Sequence, residues 1–278
     1  MDPRRELLQK CQYFILDMDG TFYLGDDIIP GSLEFMDTLK KTGREFLFFT
    51  NNSSKSPEVY IQKLAKMGCN ITREQIMTSG DVTIAYLNTY FKNKSVYLVG
   101  TPALEKSFHD QGIILFNDNI ENYVPGNHPV ERKPDIVVIG FDTTLTYQKL
   151  ERASSYIRSG SLFFATHLDI NCPTANGFII DVGAFCAAIQ LSTGVAPRYF
   201  GKPYPETIEM ILAHTKGRKD ELAFVGDRLY TDVATGVQNG VPGLLVLSGE
   251  ATLEDVEKSK IKPDAIFANL KEIADLLE

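Results

Sequence analysis

The sequence predicts an α/β protein built around a parallel β-sheet, and two observations support this fold class. Short runs of apolar, aromatic and β-branched residues recur along the chain and end at glycine or polar residues, a pattern typical of buried strands. Segments between these runs carry apolar residues at helical spacing. Strands that alternate with helices in this way indicate parallel pairing with right-handed crossovers.

The first third of the chain begins this alternation. The run 13–16 (Y-F-I-L) predicts a buried strand that ends at the segment 17–21 (D-M-D-G-T). The elements predicted after it are a helix between Gly31 and Gly43, a strand at 46–49 that ends at Thr50, and a helix that begins at Ser56-Pro57 and ends at Gly68. Glycine just beyond a helix suits the left-handed conformation that commonly ends helices.

The middle of the chain repeats the alternation with different chemistry. The predicted elements are strands at 96–100, 136–140 and 162–165, helices from 102 towards 112 and at 146–159, and a long loop at 117–134. These elements carry no dense cluster of carboxylates or glycines. We therefore expect residues 81–180 to form an α/β domain inserted in a core of residues 1–80 and 181–278.

The last third returns to the pattern of the first. The run 222–226 predicts a buried strand that ends at Asp227, and 244–247 predicts another. The C-terminal segment, with Leu270, Ile273 and Leu277 on one face, predicts a short amphipathic helix.

Composition excludes several classes of function. Hydrophobic residues make up 44% and charged residues 23% of the 278 residues, as in ordinary globular proteins. A formal net charge of -8 argues against nucleic-acid binding, and no segment approaches the roughly 20 apolar residues that span a bilayer. The absence of a secretory leader pattern and of C-x-x-C pairs among four cysteines predicts reduced thiols and a cytoplasmic location.

The segment 17–21 is where we expect the chemistry. Asp17 and Asp19 lie two residues apart at the end of a predicted buried strand. Because unpaired buried charges destabilise a fold by several kcal/mol, a cation or a proton must compensate them. A purely structural role therefore does not account well for this pair of carboxylates.

Polar residues end two further predicted strands, at Thr50 and Asp227. Ligands bind outside the carboxyl ends of the strands in open parallel sheets, so neighbouring strands would bring these residues to the Asp17 segment. Lys202 in a G-K-P segment and Asp232 complete the candidate set.

Asp17, Asp19, Asp227 and Asp232 would then place four carboxylates in one small site. Their mutual repulsion favours a hard divalent cation, and Mg²⁺ suits oxygen ligands next to a substrate phosphate. Lys202 supplies a positive charge for that phosphate.

These residues, in this order, resemble the four motifs of the haloacid dehalogenase-like hydrolase superfamily of phosphatases. The motifs D-x-D-G-T, a strand-terminal Thr, a Lys and G-D-x-x-x-x-D are matched by residues 17–21, Thr50, Lys202 and residues 226–232. The T-N-N form of the second motif and the G-K-P form of the third are similar to the NagD-type branch, which includes p-nitrophenylphosphatase-like and phosphoglycolate phosphatase-like enzymes. The resemblance spans nearly the whole chain.

The resemblance implies a fold and an activity. The core would be Rossmann-like, with a C2-type α/β cap inserted between the second and third motifs. The protein would be a Mg²⁺-dependent phosphatase that acts on a small-molecule phosphate ester. A homodimer would be unsurprising in this branch.

The resemblance also implies roles for individual residues. Asp17 would attack phosphorus and form an aspartyl-phosphate, and Asp19 would act as general acid and then as general base. The other implied roles are phosphate binding by Thr50, Asn51, Asn52 and Lys202, and metal binding by Asp17, the main-chain carbonyl of Asp19, Asp227 and Asp232.

In the cap, His167 and Asp169 lie in a T-H-L-D segment. This segment is similar to a T-N-x-D segment that reaches towards the active site in this branch of the family. A substrate contact and a structural role are both open for His167. The segment 177–185 departs from the branch pattern because an apolar run precedes its Gly-Ala pair and Phe185 follows it.

Other functions share parts of this pattern. An EF-hand calcium loop would need other residues at Thr21, Phe22 and Ile28. A phosphotransferase would share the aspartyl-phosphate, and a non-catalytic ligand-binding relative would be expected to have a broken motif. Phosphoglycolate, sugar phosphates, nucleoside monophosphates and pyridoxal phosphate all stay open as substrates, since the core motifs specify phosphate and metal only.

Overall fold

The computed structural model describes residues 2–118, 120, 122–127, 129–174 and 176–278. Its helices are α1 Pro3–Lys10, α2 Ser32–Lys41, α3 Pro57–Lys66, α4 Ser79–Tyr90, α5 Pro102–Asp110, α6 Tyr147–Arg158, α7 Val182–Thr193, α8 Pro205–Thr215, α9 Ala234–Gln238, α10 Leu253–Lys258 and α11 Leu270–Leu277. Its strands are β1 Tyr13–Leu16, β2 Tyr23–Leu24, β3 Asp27–Ile28, β4 Glu45–Thr50, β5 Ile76–Thr78, β6 Ser95–Val99, β7 Ile114–Leu115, β8 Ile136–Ile139, β9 Leu162–Ala165, β10 Asn171–Thr174, β11 Gly177–Ile180, β12 Arg198–Tyr199, β13 Leu222–Gly226, β14 Gly243–Val246 and β15 Ala265–Phe267.

The chain forms two compact units whose boundaries differ from those predicted. The first comprises Met1–Thr50, Pro57–Met77 and Lys202–Glu278, and the second comprises Asn51–Ser56 and Thr78–Gly201. The predicted inserted domain, 81–180, therefore ends too early. The reason is α7, which buries Val182, Phe185 and Ile189 in the apolar core of the second unit.

The first unit contains a six-stranded sheet with strand order β15-β14-β13-β1-β4-β5. The pairings from β15 to β4 are all parallel, and in the register Leu16 lies between Val225 and Phe48. Because β13, β1 and β4 are neighbours, their carboxyl ends meet at one edge of the sheet. The predicted α/β fold with a parallel sheet is confirmed.

Apolar packing on both faces explains why β1 is a continuous hydrophobic run. Phe14 and Leu16 face one core cluster, in which the Phe14 and Phe35 rings pack edge to face with centroids 5.7 Å apart. Ile15 is also fully buried, on the alternate face. Strands of parallel sheets covered on both faces have this composition.

The second unit has its own parallel sheet, of five strands in the order β12-β9-β8-β6-β7. The predicted strands at 96–100, 136–140 and 162–165 form its centre. The helix α7 ends at Gly194, whose φ of 74° is the left-handed conformation that glycine adopts readily.

Two antiparallel hairpins, β2–β3 and β10–β11, were not predicted. The strands of the first have two residues each, which is too short for an alternating pattern to be recognised in the sequence. No helix within the described residues combines the length and the apolar character required to cross a bilayer.

Candidate active site

Three carboxylates converge at the carboxyl edge of the first sheet. Asp17 directly follows β1, and its backbone N–H donates to the Val225 carbonyl at 2.9 Å. Asp227 follows β13, and Asp232 lies in the helical turn Leu229–Val233. One carboxylate oxygen of each residue lies within 4.8 Å of those of the other two. The structure thus joins residues that are far apart in the sequence.

Two glycines make this close approach possible. A Cβ atom on Gly20, which has a φ of +86°, would lie 2.3 Å from Asp227 Oδ2. A Cβ atom on Gly226 would lie 2.2 Å from the Asp232 Cγ. A larger residue at either position would push a carboxylate out of the group.

Lys202 lies between two of these carboxylates. Its Nζ donates to Asp17 Oδ1 at 2.5 Å and to Asp232 Oδ1 at 2.6 Å, and its side chain is 4% exposed. Burial lowers the pKa of Lys202, but the two carboxylates outweigh burial and raise the pKa above its ordinary value. The ammonium group therefore stays charged.

One lysine does not balance three carboxylates. Burial raises the pKa of Asp17 to about 8; Lys202 acts in the opposite direction, while Asp232 and Asp227 add to the increase. Burial, followed by repulsion from Asp232, raises the pKa of Asp227 to about 6. These shifts indicate a site that lacks positive charge when only protein groups are counted.

The donor set fits a hard divalent cation. Asp227 Oδ2 accepts a hydrogen bond from the Glu250 N–H at 2.7 Å, whereas its buried Oδ1 has no hydrogen-bond partner among the described residues. An orphaned carboxylate oxygen beside two further carboxylates is the kind of oxygen-rich site that Mg²⁺ occupies. Asp17, Asp227 and Asp232 could hold such an ion.

Family comparisons agree with this geometry. Residues 14–114 match the model of the haloacid dehalogenase-like hydrolases, and residues 199–273 match a second model described as HAD-hydrolase-like. An acid sugar phosphatase of Staphylococcus aureus strain MRSA252 is 34% identical over 270 residues, which cover 97% of this chain and 99% of that protein. The chain belongs to the haloacid dehalogenase-like hydrolase family.

Solved structures indicate the branch of the family. The 4-nitrophenylphosphatase of Thermotoga maritima is 44% identical, with a TM-score of 0.89 over 98% of this chain and 99% of that one. NagD from E. coli K-12 is 27% identical, with a TM-score of 0.83 over 94% and 98% of the two chains. The predictions of a NagD-like member of the family and of the phosphatase class are confirmed.

Asp19 does not join the carboxylate group, so the predicted cluster of four is corrected to three. Its side chain is exposed, and its Oδ1 accepts the Gly25 N–H at 3.3 Å. The chain turns sharply after Asp17, because the Met18 carbonyl accepts the N–H groups of Phe22 and Tyr23. The main-chain carbonyl of Asp19 as a metal ligand stays a prediction.

The second family motif, residues 50–52, spans the position in the sequence at which the first unit ends and the second begins. Thr50 ends β4, the neighbour of β1. Asn51 directs its side-chain amide to the Asp169 carboxylate at 3.2 Å, and Asn52 Oδ1 accepts the Ser54 N–H at 3.0 Å. Both asparagine side chains therefore shape the loop 51–56, and their contact with a substrate stays a prediction.

His167 is completely buried in the second unit. Its Nδ1 lies 2.9 Å from Thr166 Oγ1 and 3.3 Å from Ser79 Oγ, and its Nε2 lies 2.9 Å from Asp181 Oδ1. His167, Asp169 and Asp181 bring ligand-type atoms within 4.8 Å of one another. Because hydrogen bonds already occupy both ring nitrogens, the structural alternative for His167 is favoured over a substrate contact.

One loop of the site, residues 248–250, was not predicted from the sequence. Ser248 Oγ donates to the Gly20 carbonyl at 2.8 Å, and the Glu250 N–H binds Asp227. This loop follows β14, the neighbour of β13. The rule that the carboxyl ends of neighbouring strands meet could have identified it.

Proposed function

We propose that this chain is a Mg²⁺-dependent phosphatase that hydrolyses small phosphate monoesters through an aspartyl-phosphate at Asp17. The difference in exposure among the clustered carboxylates supports this most strongly. The Asp17 side chain is 14% exposed, whereas that of Asp232 is 1% exposed and Asp227 is 2% exposed. A substrate phosphorus can therefore reach Asp17, while the two buried carboxylates are suited to holding a cation.

Two proton transfers by Asp19 complete the proposed reaction. A carboxylate oxygen of Asp17 bonds to phosphorus, the bond from phosphorus to the ester oxygen breaks, and Asp19 protonates the leaving oxygen. Asp19 then takes a proton from water, whose oxygen bonds to phosphorus as the bond from phosphorus to Asp17 breaks. The exposure of Asp19 suits both roles, because a leaving group and water can reach it. The products are an alcohol and inorganic phosphate.

The transferred phosphoryl group needs positive charge and hydrogen-bond donors. Lys202 holds a fixed cationic charge 2.5 Å from Asp17 Oδ1, beside the carboxylate to which the negatively charged phosphoryl group would bond. Thr50, at the end of the neighbouring strand, and the backbone N–H of Asn51, the next residue along the chain, are the proposed donors to phosphoryl oxygens. When bound by Asp17, the Asp19 carbonyl, Asp227 and Asp232, Mg²⁺ would screen the repulsion between nucleophile and phosphate.

Sugar phosphates are the first substrate class to test, because the relative from Staphylococcus aureus is named an acid sugar phosphatase. The second unit would act as a cap that admits small esters and excludes water. A phosphate contact from Asn52 and substrate contacts from His167 and Asp169 stay predictions, as do a homodimer, testable by light scattering, and a cytoplasmic location.

We expect purified protein to hydrolyse 4-nitrophenyl phosphate with added Mg²⁺ and to lose this activity in excess chelator. One lysine bonds only two of the three clustered carboxylates, so the cluster needs a cation to act together. The absorbance of 4-nitrophenolate measures its release. In a parallel reaction that contains glycerol as an alternative acceptor, inorganic phosphate is assayed as well. Equal release with chelator would contradict the metal requirement, and phosphate appearing on glycerol instead of in water would favour a phosphotransferase.

Asp227→Asn is expected to raise the Mg²⁺ concentration for half-maximal activity by at least about tenfold. An amide at this position removes the negative charge next to the orphaned Oδ1 site. The measurement is a Mg²⁺ titration of the initial rate. Asp220→Asn, which alters a 67% exposed carboxylate, is the matched control and should leave the titration unchanged. If Asp227→Asn showed the same Mg²⁺ dependence as the wild type, Asp227 would not be a metal ligand.

A further inference from the structure

The hairpin β2–β3 is hydrogen-bonded to the chain on both sides of Asp19. The Tyr23 N–H donates to the Met18 carbonyl at 3.1 Å, and the Gly20 N–H donates to the Tyr23 carbonyl at 2.7 Å. In the turn between the strands, the Gly25 N–H donates to the Asp19 carboxylate at 3.3 Å. The orientation of Asp19 therefore depends on the position of this hairpin.

Lys63, on α3, contacts the hairpin at two of these same residues. Its Nζ donates to the Gly25 carbonyl at 2.6 Å and lies 4.0 Å from the centroid of the Tyr23 ring. It also lies 3.6 Å from Asp26 Oδ1. One ammonium group thus binds the peptide unit that follows Gly25 while the N–H of Gly25 binds Asp19.

Burial shows which of these contacts matter. Asp26 is 99% exposed, so its ion pair with Lys63 contributes little. Tyr23 is 3% exposed, and a charge-assisted hydrogen bond to a carbonyl is stronger than a neutral one. Residues 24–27 are all exposed, so little apolar packing holds the turn. Lys63 therefore helps to hold the turn through its hydrogen bond to the Gly25 carbonyl.

We propose that Lys63 is a positioning residue for Asp19, acting through the turn at Gly25. The proposal rests on the proposed role of Asp19 as general acid. Lys63 is not one of the residues proposed to hold the metal or the phosphate, and its contacts are with the hairpin residues Gly25, Tyr23 and Asp26. Its loss would let the turn and the Asp19 carboxylate move, and proton transfer is sensitive to displacements of about 1 Å.

The dependence of the rate on the leaving group separates this role from a merely structural one. The 4-nitrophenolate ion leaves readily without a proton, whereas phenolate, with a conjugate acid of pKa about 10, depends more on a general acid. The two esters, 4-nitrophenyl phosphate and phenyl phosphate, have similar shapes. Their kcat/KM values report the step in which the leaving group departs, independently of later hydrolysis.

The experiment measures kcat/KM for both esters in saturating Mg²⁺ with Lys63→Met, Lys63→Arg and Asp19→Asn. Lys66→Met is the matched control, because Lys66 is an exposed lysine on the same helix. For Lys63→Met we expect the loss on phenyl phosphate to exceed the loss on 4-nitrophenyl phosphate by about tenfold. Lys63→Arg, which keeps a cation and donors, should recover most of the difference, and Lys66→Met should show none.

The Asp19→Asn variant distinguishes a failure of the positioning role of Lys63 from a failure of the proposed function. If Asp19→Asn shows the leaving-group effect and Lys63→Met lowers both esters equally or not at all, the positioning role of Lys63 is wrong. If Asp19→Asn itself shows no leaving-group effect, the general-acid role is wrong and the Lys63 proposal falls with it. Melting temperatures of the variants identify any loss that comes from unfolding.

Discussion

Asp17→Asn is expected to reduce kcat/KM for 4-nitrophenyl phosphate by about 10⁴-fold or more. The carboxamide cannot form the acyl-phosphate bond, and the other two clustered carboxylates, those of Asp227 and Asp232, are too buried to replace it. The fold should persist, because asparagine has nearly the same shape as aspartate. Circular dichroism and the melting temperature check this point.

Chemical trapping tests the covalent route directly. Wild-type protein quenched during turnover should carry phosphate on the peptide that contains Asp17, and Asp17→Asn should carry none. Asp19→Asn should still become labelled from 4-nitrophenyl phosphate, because this leaving group does not require protonation. Near-normal turnover by Asp17→Asn would exclude Asp17 as the nucleophile.

Lys202→Met is expected to lose activity and to lower the free energy of unfolding by about 3–5 kcal/mol in the presence of chelator. The substitution leaves Asp17 and Asp232 close together without the ammonium group that bridges them at 2.5 and 2.6 Å. Urea denaturation measures the loss. Added Mg²⁺ should stabilise Lys202→Met more than the wild type, because the ion supplies part of the missing charge.

Lys258→Met is the matched control for this prediction. Lys258 also forms an ion pair at 2.5 Å, with Glu254, but the two side chains are 71% and 72% exposed. Water already solvates such a pair, so its removal should leave the unfolding curve nearly unchanged. Equal effects of the two substitutions would show that the buried position of Lys202 contributes nothing to stability.

Local patterns explain why so much of the core was predictable. The strands β1, β4 and β13 are largely apolar runs with a polar residue at or directly after the end, and this signal lies within a few adjacent positions. By contrast, α7 (V-G-A-F-C-A-A-I-Q-L-S-T) is apolar on most of its surface, so its sequence carries little periodicity. Its assignment to the second unit depends on packing, and the predicted boundary at 180 was too early for that reason.

The position of the Asp19 side chain could not be predicted from the motif. Spacing placed Asp17 and Asp19 together, but the turn after Asp17 separates their carboxylates and exposes Asp19. The side chain then meets Gly25, a contact that no motif predicts.

The sequence by itself determined the parallel α/β core, the strand-end positions of Asp17, Thr50 and Asp227, and membership in a phosphatase family. These features depend on short-range patterns of burial and polarity. Only the tertiary structure decided which carboxylates lie together and which lysines contact them or the hairpin beside Asp19. The Lys202–Asp17 contact joins residues 185 positions apart, and the Lys63–Gly25 contact joins residues 38 positions apart. Such contacts follow from the packing of whole elements against one another, which a local pattern does not encode.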